Sequence, residues 1–472
     1  MIALVKPHRF SGAVRIPASK SHTIRRLLIA ALADGVSELQ GPLDSLDTRS
    51  CLAACRALGA LVREHRAPDP SSPNPVDAAG TKLIRWTLQG RGGAPAEPLE
   101  AINIEVGNSG TTLFLALAAA ALFPVPVHFD GDAQIRRRSA APLLAALGGL
   151  GVQSESHEGC APITIRGPWK GGRVSIECPT SQYLSALLLA APLAPAGTLT
   201  ELEVPLLNER PYIAMTLAYI DAQGIPCERG EDLSWFRISG GAVYKPLSGP
   251  VPADFSSAAF PALAAAVSGG PVELFGLDPG DIQGDQAFFE VLKKMGCHVS
   301  WTEARPGGPS GGDTAVSPGG GALARSTVLR IEGGPLRGGE FDLNAAPDML
   351  PACAAAAAFA KGNTALVNAA HARIKETDRI AVMAAELEKL GTRVTERPDG
   401  LIIHGTGTPP RGGRINSHGD HRIAMAFAAA ALGACGPIEI DGAECAAVTY
   451  PGFLELLAME TVREAGITET GK

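Results

Sequence analysis

Five times along this chain a helical pattern ends in glycine and gives way to a short segment containing Val or Ile: at Leu58-Gly59, Leu150-Gly151, Gln223-Gly224, Met295-Gly296 and Leu390-Gly391. A glycine just past a helix supplies the left-handed backbone that stops it, so each instance marks a helix end with a mechanism. The spacing, about 70 to 95 residues, is too long for a solenoid repeat but suits a recurring αβ unit, so the chain is built from several copies of one unit. At 472 residues it exceeds the size of one hydrophobic core and accommodates about two or three domains. The two wider spacings contain residues 67–80 and 305–321, rich in Pro, Gly, Ser and Asp, which read as inserted surface loops. Residues 244–251 carry two prolines and a glycine and lead into Asp254-Phe255-Ser256-Ser257 and an Ala-rich helix, a plausible interdomain crossing.

Composition narrows the function classes. Hydrophobic residues at 46% and charged residues at 19% describe a globular chain. A formal net charge of -7 gives no overall attraction for nucleic acid or anionic lipid, so an anion must be bound locally. Residues 1–7 lack a secretory pattern, which makes the cytoplasm the default location. The Ala-rich runs at 113–123 and 354–360 are too short to span a bilayer and read as buried helices. Nine cysteines without a CxxC pair, two of them one helical turn apart at Cys51 and Cys55, suggest packing rather than metal or redox work.

Local chemistry concentrates where strand-like stretches turn into helices. Ala18-Ser19-Lys20-Ser21-His22-Thr23-Ile24-Arg25 opens a Leu/Ile/Ala helix, where free amides and added donors suit an anion. A solvated helix start is the alternative. Gly107-Asn108-Ser109-Gly110-Thr111-Thr112 lets backbone approach a ligand, or forms an ordinary turn. Of Arg136, Arg137 and Arg138, consecutive and so diverging, one is expected to face a site and the others water; a solvated basic turn reads equally well. Pro179-Thr180-Ser181-Gln182-Tyr183 places hydroxyls and an amide at another helix start, and Asp348 precedes an apolar helix that it can simply cap. The densest cluster is Arg373-Ile374-Lys375-Glu376-Thr377-Asp378-Arg379, which offers anion clamps and a carboxylate tuned by cations, or a surface salt-bridge group. Gly419-Asp420-His421-Arg422 sets an imidazole beside a guanidinium.

In this order the segments resemble the EPSP synthase family of enolpyruvyl transferases, from about Lys20 to Tyr450; the Lys-Glu-Thr-Asp-Arg and Asp-His-Arg strings are its most specific marks. The resemblance implies an α/β fold of two domains, each of three βαβαββ units, with a cleft between them. Residues 1–18 with 253–472 would form one domain, holding Asp348, Lys375, Glu376, Arg379, His421 and Arg422. Residues 19–252 would form the other, holding Ser21, Arg25, Gly110, Arg138, Ser181 and Gln182. The implied reaction joins phosphoenolpyruvate to the 5-hydroxyl of shikimate 3-phosphate by addition and elimination, within aromatic amino acid biosynthesis. Lys20, Gly110, Arg138, Arg379 and Arg422 would bind phosphoenolpyruvate. Ser21, Arg25, Thr180, Ser181, Gln182, Tyr212, Asp348 and Lys375 would bind shikimate 3-phosphate, and Asp348, Glu376, Lys20 and His421 would move protons. No metal or cofactor is implied, nor any nucleic-acid or membrane partner, and a monomer is expected.

Four positions depart from the family pattern. Val448 stands where a lysine usually precedes Thr449-Tyr450-Pro451, Phe114 where arginine is usual, and His371 where asparagine is common. Glu209 replaces a serine near the substrate phosphate, where its charge would repel a dianion unless Arg210 or another cation neutralises it. The related transferase acting on UDP-N-acetylglucosamine typically carries a reactive cysteine in the loop occupied here by residues 131–139, which contain none. A non-catalytic anion-binding relative is the remaining alternative.

Overall fold

The computed structural model describes residues 1–68, 81–93, 100–303 and 327–459, and the backbone of a short strand at Thr461–Val462. The inserted loop expected at 305–321, and all but two residues of that at 67–80, lie outside the described residues. By internal contacts the chain divides into two units. The first comprises Met1–Ser19, Ala67–Lys82 and Pro252–Lys472; the second comprises Lys20–Arg66 and Leu83–Val251. The described ends of the stretch 67–82 finish two strands of a sheet that otherwise belongs to the second unit.

In chain order the second unit contains α1 (Lys20–Leu32), α2 (Leu46–Ala57), α3 (Gly110–Ala120), α4 (Ala141–Gly149), α5 (Ser181–Ala190) and α6 (Arg210–Ala222). The first unit contains α7 (Phe255–Ser268), α8 (Ala287–Met295), α9 (Leu350–Ala357), α10 (Arg379–Lys389), α11 (His421–Ala431) and α12 (Phe453–Leu457).

One wiring scheme recurs. Strand Ile102–Glu105 leads through α3 to a parallel neighbour, Val127–Asp130; α4 then leads to an antiparallel pair, Gln153–His157 and Cys160–Arg166, the latter bonded to Val127–Asp130. Parallel neighbours need a crossover and antiparallel ones only a tight turn, so each copy uses its first helix to cross and its last two strands to turn back. The order repeats around α5 and α6 and around α9 and α10.

Three copies are assembled from distant segments. Strand Ser11–Arg15 is followed in sequence by the whole second unit before α7 and its parallel partner Pro271–Phe275 appear. Ser248–Pro250 supplies the first strand of the copy containing α1 and α2. The N-terminal strand Ile2–Val5 pairs with Ile438–Asp441 in the copy containing α11. Among the described residues each unit therefore carries three sheets and three copies, the sheet of the α11 copy having three strands.

Within each copy the two helices differ in kind. In α3, α9 and α11 almost every residue is buried, whereas α2, α4, α6, α8 and α10 bury one face. A helix apolar all round belongs in a core and a one-sided helix on its outside. Alanine-rich α7, α9 and α11 pack on one another in the first unit, and α3 packs on α1 and α5 in the second. The five glycines read as stops end the outer helices α2, α4, α6, α8 and α10, with φ of 102°, 90°, 72°, 114° and 83°. The cysteines of α2 pack as expected: the thiols of Cys51 and Cys55 are buried toward the carbonyls of Ile24 and Leu27 in α1.

Ala428 in α11 is fully buried among these alanine helices, so Ala428→Leu overfills a close-packed contact. It should lower stability by about 1–3 kcal/mol, read as an earlier midpoint in urea and a lower melting temperature.

Candidate active site

The helix starts matter, inner and outer alike, because their first residues carry the chemistry. Helix N-termini present unpaired amides and a positive dipole end. In the first unit the starts of α7, α9, α10 and α11 are tied into one polar cluster whose centre is Arg379, the first residue of α10, with 0% exposure. Its Nε donates to Asp420 Oδ2 at 2.7 Å, its Nη1 to Asp348 Oδ1 at 2.7 Å, and its Nη2 to Glu376 and to Asp420 Oδ1 at 3.2 Å. Arg422, in the first turn of α11, donates to Asp348 Oδ2 at 3.0 Å and to Ser256 in the first turn of α7. Lys375 Nζ lies 3.8 Å from Asp348 Oδ1. Asp420 also caps α11, accepting from the amide of Arg422 at 2.9 Å, and accepts from Thr377 Oγ1 at 3.1 Å. His421, buried, opens the same helix.

The electrostatics follow from this closure. Burial alone would raise the Asp348 carboxyl, but Arg422, Lys375 and Arg379 outweigh it and hold the group far below the usual carboxylate range. Burial likewise works against the Arg379 charge, and Asp420, Glu376 and Asp348 more than reverse it. A charge buried without partners costs several kcal/mol, so each member requires the others; removing one partner of such a group typically costs about 3–5 kcal/mol.

The second unit gathers its candidates at the starts of α1, α3, α5 and α6. Lys20 pairs with Asp47 in α2 at 2.9 Å. Arg25 is buried and threads between helices: it donates to Thr216 Oγ1 of α6 at 2.9 Å, to Ser185 Oγ of α5 at 3.3 Å, and to the carbonyls of Ser21 and Tyr212 at 3.1 and 3.3 Å. Burial draws its pKa down to about 10. Gln182 Nε2 reaches Thr111 Oγ1 at 3.1 Å, joining α5 to the first turn of α3. At Gly110 a side chain would collide with Arg138 Nη1, so the glycine is required for the guanidinium to lie on this turn. Asn108 donates to Asp132 and Gln134 at 2.5 and 2.8 Å, which fixes the glycine loop before α3 against the basic segment.

Several expectations resolve here. Of the three consecutive arginines, Arg138 turns inward to Gly110, while Arg136 pairs with Asp130 on the surface and Arg137 is exposed. Asp348 does not cap α9; it sits in the turn Pro347–Met349 and spends its oxygens on Arg379 and Arg422. Arg210 does not neutralise Glu209, because its guanidinium donates to the carbonyl of Asp232 at 2.7 Å. Glu209 instead lies on the start of α5, accepting from Ser181 N at 3.0 Å, Ser181 Oγ at 2.6 Å and Thr180 Oγ1 at 3.3 Å. Phe114 is buried and packs edge-on against Tyr183, whose hydroxyl donates to the Ser139 carbonyl at 2.5 Å. His371 is buried with Nε2 3.2 Å from the Asn344 carbonyl. Val448 ends the turn Ala443–Val448, half-buried.

Sequence reasoning assigned no role to Asp420, Ser256, Asp47, Thr216 or Ser185. Asp420 was legible, since an aspartate directly before a helix is a cap signal; the others become partners only through packing of helices distant in sequence.

Comparison with known proteins identifies the family. The family described as EPSP synthase (3-phosphoshikimate 1-carboxyvinyltransferase) matches residues 4–457. A protein of Acetivibrio thermocellus named 3-phosphoshikimate 1-carboxyvinyltransferase is 42% identical over 460 residues, covering 97% of this chain and 98% of that one. One of the same name from Ruminiclostridium cellulolyticum is 39% identical over 457 residues, covering 96% of this chain and 97% of that one. The solved structure of EPSP synthase from Acinetobacter baumannii covers 97% of each chain with a TM-score of 0.74 and 28% identity. With a family match over nearly the whole chain, a 42% identical relative covered almost end to end and a shared fold, the chain belongs to the EPSP synthase family.

Proposed function

We propose that this chain transfers the enolpyruvyl group of phosphoenolpyruvate to the 5-hydroxyl of shikimate 3-phosphate and releases inorganic phosphate. The family match over residues 4–457 carries the reading, and the charge clusters supply what the reaction needs. Both substrates are multiply anionic, and a site built from fixed cations and helix starts stabilises such charge without reorganising.

In this reading Lys20, Gly110, Arg138, Arg379 and Arg422 hold phosphoenolpyruvate. Ser21, Arg25, Thr180, Ser181, Gln182, Tyr212, Asp348 and Lys375 hold shikimate 3-phosphate. Addition takes a proton from the 5-hydroxyl as its oxygen attacks C2 of phosphoenolpyruvate, and delivers a proton to C3. Elimination removes a proton from the resulting methyl group and expels phosphate. Asp348, kept ionised by Arg422, Lys375 and Arg379, is the acceptor for the hydroxyl proton. Its proton affinity rises once bound anionic substrates offset the field of those fixed cations. Glu376 and Lys20 serve the carbon centre, with His421 next to them in order of candidacy.

Mixing the protein with both substrates should release phosphate, and Glu376→Ala or Lys20→Met should slow release about a hundredfold or more. Retained binding of both ligands by the intact protein without any release would instead identify a non-catalytic relative.

Val448 offers no charge to phosphoenolpyruvate, and its turn packs on α11, the helix that carries Arg422. Val448→Lys should tighten phosphoenolpyruvate and its analogue glyphosate by about tenfold, the worth of one charge-assisted hydrogen bond. Unchanged affinities in titration calorimetry would show that residue 448 does not face this ligand.

A further inference from the structure

The carboxylate of Glu209 occupies an arrangement suited to a phosphate group. Two hydroxyls, from Thr180 and Ser181, and the Ser181 amide converge on one of its oxygens, at the positive end of the ten-residue helix α5. The contact is a built one. Glu209 is 2% exposed, and its backbone is left-handed at φ 55°, a conformation that non-glycine residues adopt at a cost. Its own carbonyl accepts the Tyr212 amide at 3.0 Å, so residue 209 is fixed to the start of α6 while its side chain reaches α5. The adjacent Arg210 points away to Asp232, leaving buried Arg25 as a cation whose field opposes the Glu209 charge.

We propose that Glu209 is an internal competitor for the anion site at the start of α5: a phosphorylated substrate binds there only by displacing the Glu209 carboxylate, and this displacement sets the discrimination between phosphorylated and unphosphorylated ligands. The inference rests on the reading that Thr180 and Ser181 hold the phosphate of shikimate 3-phosphate. Its physical basis is exclusion. The three donors converge on one oxygen of a carboxylate, and a phosphate oxygen that takes them must occupy the same place. Two anions sharing it would also repel strongly in a buried setting. Without ligand, the same carboxylate compensates Arg25 and keeps the helix start satisfied, so the site persists while nothing else fills it.

The test is calorimetric titration of the intact protein, of Glu209→Gln, which keeps the shape and removes the charge, and of Glu209→Asn, which suits a left-handed backbone and shortens the reach. Each is titrated with shikimate 3-phosphate, shikimate and inorganic phosphate. Both variants should bind shikimate 3-phosphate about tenfold tighter or more, gain affinity for inorganic phosphate, and change little toward shikimate. Equal or weaker binding of shikimate 3-phosphate by a variant that melts like the parent would overturn the proposal. Should neither variant fold, a crystal structure of the parent with shikimate 3-phosphate decides the matter: Glu209 must have left Ser181, and a retained contact beside bound phosphate refutes displacement. If the parent binds no shikimate 3-phosphate while the variants gain inorganic phosphate, competition stands and the substrate reading fails.

Discussion

A guanidinium with no exposure to water is tolerable only where its charge is answered, and Arg379 is answered by carboxylates from three separate places in the chain: Glu376 just before its own helix, Asp348 before α9 and Asp420 before α11. Asp420 is buried and Glu376 and Asp348 are partly so, and the loss of any one leaves the buried guanidinium less well answered. The cluster therefore locks the starts of the inner helices α9 and α11 to that of the outer helix α10, and Ser256 extends the lock to α7 through Arg422. Three cations, Arg379, Arg422 and Lys375, balance three anions, Asp348, Glu376 and Asp420, so the group is close to neutral as it stands. Its cations are thus held in position before any anionic ligand arrives, which is the condition for strong electrostatic stabilisation at low reorganisation cost.

This placement is a consequence of the wiring. Every copy of the βαβαββ unit buries its first helix and leaves its second one-sided, so the first helices meet in the middle of each unit and their starts fall close together. A backbone start with free amides is a poor thing to bury unless polar groups meet it, and the side chains that meet it here are the ones with chemistry to offer. Alanine in α7, α9 and α11 serves the same end, because small side chains let the helices approach closely enough for Arg422 and Ser256 to touch.

The second unit solves the problem with less charge. Arg25 is satisfied by hydroxyls and carbonyls rather than by a hydrogen-bonded carboxylate, and burial leaves its proton more weakly held than that of a free arginine. Lys20 has one acidic partner, Asp47, and the start of α5 is closed by Glu209. Apart from the bond of Arg25 to the Ser21 carbonyl in its own helix, these contacts join segments separated by tens to nearly two hundred residues, as Arg25 to Thr216 does.

The glycines after α2, α4, α6, α8 and α10 were readable because a left-handed residue is a local requirement, and they disclosed five copies of the repeat. The sixth, around α11, stayed hidden, since its short second helix α12 has no such stop and its last strand comes from the N-terminus. Helix starts, the loop at Gly107 and the presence of cations at Lys20, Arg138, Arg379 and Arg422 are likewise written locally. Their partners are not. That Asp348 is an ion-pair hub rather than a cap, that Arg210 turns away from Glu209, and that Glu209 closes α5 depend on distances between segments far apart in sequence. The chain alone therefore determined the repeating unit and where donors and charges stand along it; packing alone decided which charges meet, because a charge pair forms only where folding has removed the water between its members.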